Sequence, residues 1–129
     1  MATYVYDHIH LRSPDPRKTA LWYHEMFGAR IVESPQPSGA SRAELDINGL
    51  LVFIAGALPP GEEMEEPGSP HYGLDHFGLR VDSLDEAVAD LKARGVEFAV
   101  EPRATPAGLK IAFLRGPEGV RIELVERPR

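Results

Sequence analysis

No cysteine occurs among the 129 residues. That absence excludes disulfides, thiolate-held zinc and a thiol nucleophile, so any metal must take nitrogen and oxygen ligands. Nor is there an apolar run long enough to cross a bilayer. The first twenty residues carry Asp7, His8, His10, Arg12 and Asp15 where a signal peptide would have a continuous apolar stretch. Dense Lys/Arg runs are also missing. With a net charge of −6 and a pI near 5.3, the chain has no electrostatic pull toward nucleic acid or anionic membrane. A cytoplasmic protein acting on neither is expected.

What is present is an ordinary globular balance, 43% hydrophobic and 26% charged, in a length that suits one domain over residues 1–129. Within it a pattern repeats. Asp7-His8-Ile9-His10-Leu11-Arg12 returns as Asp75-His76-Phe77-Gly78-Leu79-Arg80, with Asp, His, Leu and Arg in register. Each hexamer alternates and reads as a strand. His8, His10 and Arg12 then share one face, and His76, Gly78 and Arg80 share the matching face of the second copy.

The continuations repeat as well. Asp15-Pro16 suits an N-cap followed by proline in the first turn, with Gly28 a left-handed stop after Phe27. Ser83-Leu84-Asp85-Glu86 is a capping box, Leu84, Ala87, Val88 and Leu91 mark one helical face, and Gly95 ends it. Strand-like runs follow at Ala29–Glu33, Arg42–Ile47 and Leu50–Ala55, then at Glu97–Val100, Lys110–Leu114 and Arg121–Glu126. Asn48-Gly49 and Glu118-Gly119 mark the last hairpin of each half. The expected fold class is α+β, with paired βαβββ modules at about 4–56 and about 75–127, joined by a linker at about 57–74. Set edge to edge, the two uncovered faces make a cupped mixed β-sheet.

His8 and His76 belong to those uncovered faces. In Val120-Arg121-Ile122-Glu123-Leu124-Val125, alternation sends Arg121, Glu123 and Val125 to the same side. A lone carboxylate in an apolar strand is costly unless it is paired or bound to a metal. Two imidazoles and one carboxylate suit a single divalent first-row ion (Fe, Mn, Co, Ni or Zn) and leave positions free for substrate. His10 is placed to relay a proton. Arg12 and Arg80 are placed either to bind a substrate carboxylate or phosphate, or to pair with glutamates on neighbouring strands. Tyr72, with His71 before it, either covers the mouth of the site or lies exposed. Trp22, Tyr23 and Phe27 at helical spacing read as core, and His24 as surface.

These motifs resemble the vicinal oxygen chelate superfamily, which includes glyoxalases, bleomycin-resistance proteins and extradiol dioxygenases. The resemblance rests on His8-Ile-x-Leu leading to Trp22-Tyr23 and Phe27-Gly28, on Asp75-His76-Phe-Gly-Leu-x-Val-Asp82, and on Gly119-Val-Arg-Ile-Glu123-Leu. It implies the glyoxalase/dioxygenase-like fold, one divalent metal ion per chain, a small-molecule substrate and a homodimer. Members with four protein ligands take one from the position held here by Phe53, which cannot ligate. Three-ligand relatives use both histidines and the last glutamate, corresponding to His8, His76 and Glu123. The last two strands are most similar to methylmalonyl-CoA epimerase, and that likeness implies a base at Glu44.

The leading expectation is therefore a metal-dependent isomerase or lyase on a substrate with neighbouring oxygens, with Glu44 or His10 moving a proton. One alternative is Fe(II) extradiol-type dioxygenase chemistry on an aromatic substrate, with Phe53 in an apolar wall. Another is a fosfomycin- or bleomycin-type resistance protein that binds an antibiotic.

Overall fold

Local chemistry sets the helix ends. The Asp15 carboxylate accepts the Lys18 amide at 3.1 Å, Pro16 opens the first turn, and Gly28 closes helix α1 (Pro16–Phe27) at φ 68°. The Ser83 hydroxyl oxygen likewise accepts the Glu86 amide at 3.2 Å and starts helix α2 (Leu84–Ala93). A computed structural model of the protein describes residues 2–32, 42–56 and 73–128. The chain divides into two units, Met1–Met64 and Glu65–Arg129, called here modules one and two.

Module one has strands β1 (Ile9–Arg12), β2 (Arg30–Val32), β3 (Arg42–Ile47) and β4 (Leu50–Ala55), hydrogen-bonded in the order β1-β4-β3-β2. Module two repeats this with β5 (Phe77–Arg80), β6 (Phe98–Ala104), β7 (Lys110–Arg115) and β8 (Arg121–Glu126), in the order β5-β8-β7-β6. In each sheet the first strand runs parallel to the last, because a helical crossover separates them, and the other pairs are antiparallel. The fold is thus α+β, built of paired βαβββ modules.

Each helix covers one face of its own sheet. In module one Ala20 and Tyr23 of α1, with Leu45, Val52 and Ile54, are fully buried. In module two Leu84, Leu114, Ile122 and Leu124 are at most 1% exposed. Strand alternation then turns Glu44 and Phe53, and Phe113 and Glu123, to the opposite faces.

Several boundaries differ from the sequence reading. β1 and β5 begin at Ile9 and Phe77, so His8 and His76 stand just before the strands, where their side chains bond to the preceding aspartates. β6 runs to Ala104, past Val100, with register shifts on both sides of Val100. The bare face of module two is less polar than expected, since Ile111, Phe113 and Val125 form a buried cluster there with Val100 and Leu109. Glu33, His71, Tyr72 and nearly all of the expected linker lie outside the described residues.

Candidate metal centre

In module two the parallel ladder sets Gly78 beside Glu123, and the antiparallel one sets Phe113 on its other side. A Cβ at position 78 would stand 3.4 Å from Glu123 Oε1, an ordinary contact, so only a small side chain fits there without displacing the carboxylate. His76 sits two residues earlier. Its Nε2 is 3.9 Å from Glu123 Oε2, and the two side chains are 30% and 21% exposed. That separation is too long for a hydrogen bond, but one cation with bonds of about 2.1 Å to each atom spans it.

The other ring nitrogen is already committed. His76 Nδ1 lies 2.7 Å from Asp75 Oδ2. An ionised carboxylate can only accept, so Nδ1 carries the hydrogen, and in the neutral imidazole Nε2 keeps its lone pair. The His76 hydrogen bond first, and then the charge of Arg121, hold the Asp75 carboxyl below the usual aspartate range. Carboxylate support of this kind orients histidine ligands and raises their basicity. The donor set therefore fits a divalent ion.

Module one repeats half of this. His8 Nδ1 lies 2.6 Å from Asp7 Oδ2, which again leaves Nε2 available. The ladder partner of His10, however, is Phe53. Phe53 collects the neighbouring side chains: the His8 ring at 4.4 Å, the His10 ring edge-on at 6.4 Å, and the Arg42 guanidinium at 4.1 Å from its centroid. Glu44, opposite Phe53 on β3, is ion-paired to Arg42 at 3.0 Å. Desolvation first, then the charges of Arg12, Arg42 and His8, hold the His10 pKa below the ordinary imidazole value.

Of the expected site residues, the structure brings His76 together with Glu123, and it groups His8, His10, Glu44 and Phe53 within module one. Arg12 and Arg80 are exposed at the ends of β1 and β5, next to Ala55 and Val125 in the ladders. Among the described residues no three His, Asp or Glu side chains stand together as a ready metal site. Sequence reasoning missed the parts played by Asp75, Arg121 and Gly78, although the repeated Asp-His dipeptide was a visible signal for the first.

Comparison with known proteins gives a consistent result. A model of the Glyoxalase/Bleomycin resistance protein/Dioxygenase superfamily matches residues 5–124. The uncharacterized protein YwkD of Bacillus subtilis (strain 168) is 30% identical over 125 residues, covering 93% of this chain and 94% of its own. The lactoylglutathione lyase of Schizosaccharomyces pombe is 26% identical, and the match covers 98% of this chain but only 49% of that enzyme. A crystal structure of the fosfomycin resistance protein FosX from Listeria monocytogenes has a TM-score of 0.77 at 22% identity, covering 98% of this chain and 95% of that one. That crystal contains Mn(II) and 1S,2S-dihydroxypropylphosphonic acid. Among the described residues, no helix is long and apolar enough to cross a membrane.

Proposed function

The chain belongs to the Glyoxalase/Bleomycin resistance protein/Dioxygenase superfamily, and on that premise we propose that it is a divalent-metal-dependent isomerase or lyase. Its substrate is a small molecule with two neighbouring oxygens. His8, His76 and Glu123 hold the ion. The observation that carries this reading is the His76–Glu123 pair, with Nε2 facing a carboxylate oxygen at 3.9 Å while Nδ1 is held by Asp75. Phe53 supports a three-ligand site, because it occupies the ladder position in module one that Glu123 occupies in module two.

A bound cation supplies Lewis acidity toward an oxyanion on the substrate. His10 moves the proton, and Glu44, whose charge is balanced by Arg42 at 3.0 Å, orients rather than abstracts. Phe53 shields the reacting centre from water, and Arg12, Arg80 and Tyr72 contact the substrate. The modules work as one domain over residues 1–129, in a cytoplasmic homodimer with no nucleic-acid or membrane partner.

The test is elemental analysis of anaerobically purified protein beside a His8→Ala variant. About one transition-metal ion per chain is expected, with affinity falling at least about tenfold in the variant, since losing a ligand costs no less than losing its supporting partner. Protein that neither contains nor takes up metal would sink the enzyme reading and leave an antibiotic-binding resistance protein in its place. Deuterium wash-in to an acidic C–H of the substrate supports the isomerase or lyase chemistry.

Dioxygenase chemistry with Fe(II) on an aromatic substrate is the second reading, favoured by the aromatic surface that Phe53 makes against the His8 ring. Oxygen uptake with a panel of catechols separates the two.

A further inference from the structure

Four side chains in module two close a loop of contacts around His76. Its Nδ1 lies 2.7 Å from Asp75 Oδ2, and Arg121 Nη1 donates to the same oxygen at 2.6 Å. The Arg121 guanidinium lies over the Phe113 ring, 4.7 Å from its centroid. The Phe113 ring in turn meets the His76 ring edge-on at 4.8 Å. Phe113 is 8% exposed and is set among Ile111 and Val125, so the loop rests on the sheet's buried apolar cluster. Each member is thus held by two others, which lowers the entropy cost of keeping any one of them in place.

Among the described residues module one has no such loop. Asp7 bonds His8 at 2.6 Å, but the ladders give Leu51 the place that Arg121 has in module two, and the Asp7 side chain is 83% exposed. An exposed pair of this kind, with no further partner for the carboxylate among the described residues, holds its partner weakly.

We infer that Asp75 and Arg121 are positioning residues that lock His76 as the Nδ1–H tautomer with Nε2 free, whereas His8 is left to find its orientation when the ion arrives. The inference rests on the metal reading above for its purpose, though not for its test. Asp75 alone could swing toward water. Arg121 prevents this by bonding the same oxygen that holds the imidazole, and its own swing is limited by the face of Phe113. A tautomer fixed in advance spares the ion the ordering of one ligand, which is the usual benefit of supporting shells around metals.

The experiment uses the whole chain, metal-free and labelled with 15N histidine, observed by two-bond proton–nitrogen correlation at a pH where the imidazoles are neutral. The His76 pattern is expected to be that of pure Nδ1–H. Arg121→Leu, which copies module one, and Asp75→Ala should each convert it to a mixture of tautomers, with Arg121→Lys restoring it only in part. Titration of the same proteins with Mn(II), followed by its paramagnetic resonance signal, should show affinity falling by about tenfold or more in both variants and by less in Asp7→Ala. A mixed His76 tautomer in the parent protein, or an unchanged pattern in Arg121→Leu, overturns the inference. Should Arg121→Leu not fold, the Asp75→Ala and Arg121→Lys spectra decide the same point. Failure of the parent to bind any Mn(II), with the tautomers behaving as stated, tells against the metal reading and leaves the positioning role standing.

Discussion

At the same ladder position, module two sets Gly78 beside Glu123 and module one sets His10 beside Phe53. Strand order, crossover and the side-chain N-caps of the helices otherwise repeat, and an aspartate holds Nδ1 of the histidine before the first strand in both. The repeat thus keeps the frame and the Asp–His hydrogen bond while two residue pairs differ. One pair sets a small residue next to a carboxylate. The other gives an aromatic ring with His8, His10 and Arg42 around it. The frame is a matter of apolar burial, whereas the division of labour is a matter of two side chains on each bare face.

If that division is right, the two frames should be equally costly to damage. Ile54 and Leu124 hold matching places and are at most 1% exposed. Ile54→Ala and Leu124→Ala should each lower stability by about 2–5 kcal/mol in urea unfolding, through lost burial and the cavity left behind. A core that mattered in only one module would break the equivalence.

Function should not be shared equally. Glu123→Phe gives module two the residue of module one, and it should reduce metal affinity by at least about tenfold while shifting the metal-free unfolding midpoint little. Calorimetric metal titration beside circular dichroism melting checks both halves. Undiminished affinity would show that the carboxylate at this position is not a ligand.

Gly78 sharpens the same point by degrees. A Cβ there would meet Glu123 Oε1 at 3.4 Å, an ordinary contact with the end of a flexible side chain, so Gly78→Ala should scarcely change metal affinity. Gly78→Val carries two methyl groups beyond that point and should push the carboxylate aside, weakening the ion by a few-fold, less than loss of the ligand itself. Equal effects of Ala and Val would mean that the room beside Glu123 does not matter.

Much of the frame could be read from residue types alone, because its signals are local. Asp15, Ser83 and Gly28 act through hydrogen bonds within a turn, and Asn48-Gly49 through positive φ angles of 48° and 100°. The ladder equivalence of Glu123 with Phe53 also followed from counting along alternating strands. What escaped was non-local or irregular. The extension of β6 through Pro102 depends on its pairing with β7 and includes register shifts that alternation cannot show. The bond from Arg121 to Asp75 joins residues 46 apart, and nothing in either neighbourhood announces it. Burial of Ile111 and Phe113 on the bare face, beside Val125, was hidden because β7 is apolar on both sides.

The smallest expected effect lies at the hairpin tips, where the modules also differ. Asp46 accepts the Gly49 amide at 2.7 Å and the Arg30 guanidinium at 3.2 Å, and its ladder equivalent in module two is Arg115. The Gly49 hydrogen bond first, and then Arg30, hold the Asp46 carboxyl below the ordinary aspartate value. A depressed folded-state pKa means that the bond's contribution is present above the unfolded aspartate's pKa and is lost as pH falls through the lower, folded one. Acid should therefore loosen the β3–β4 turn of module one through Asp46, a contact the β7–β8 turn does not share because Arg115 stands at the equivalent place. The Gly49 amide resonance is expected to titrate with a midpoint below that of an unperturbed aspartate. In Asp46→Asn the Gly49 step should vanish, because the side-chain oxygen still accepts but no longer ionises. A Gly49 midpoint at the unperturbed aspartate value would show that this turn is not held by the charge, and the tips would then differ in sequence without differing in behaviour.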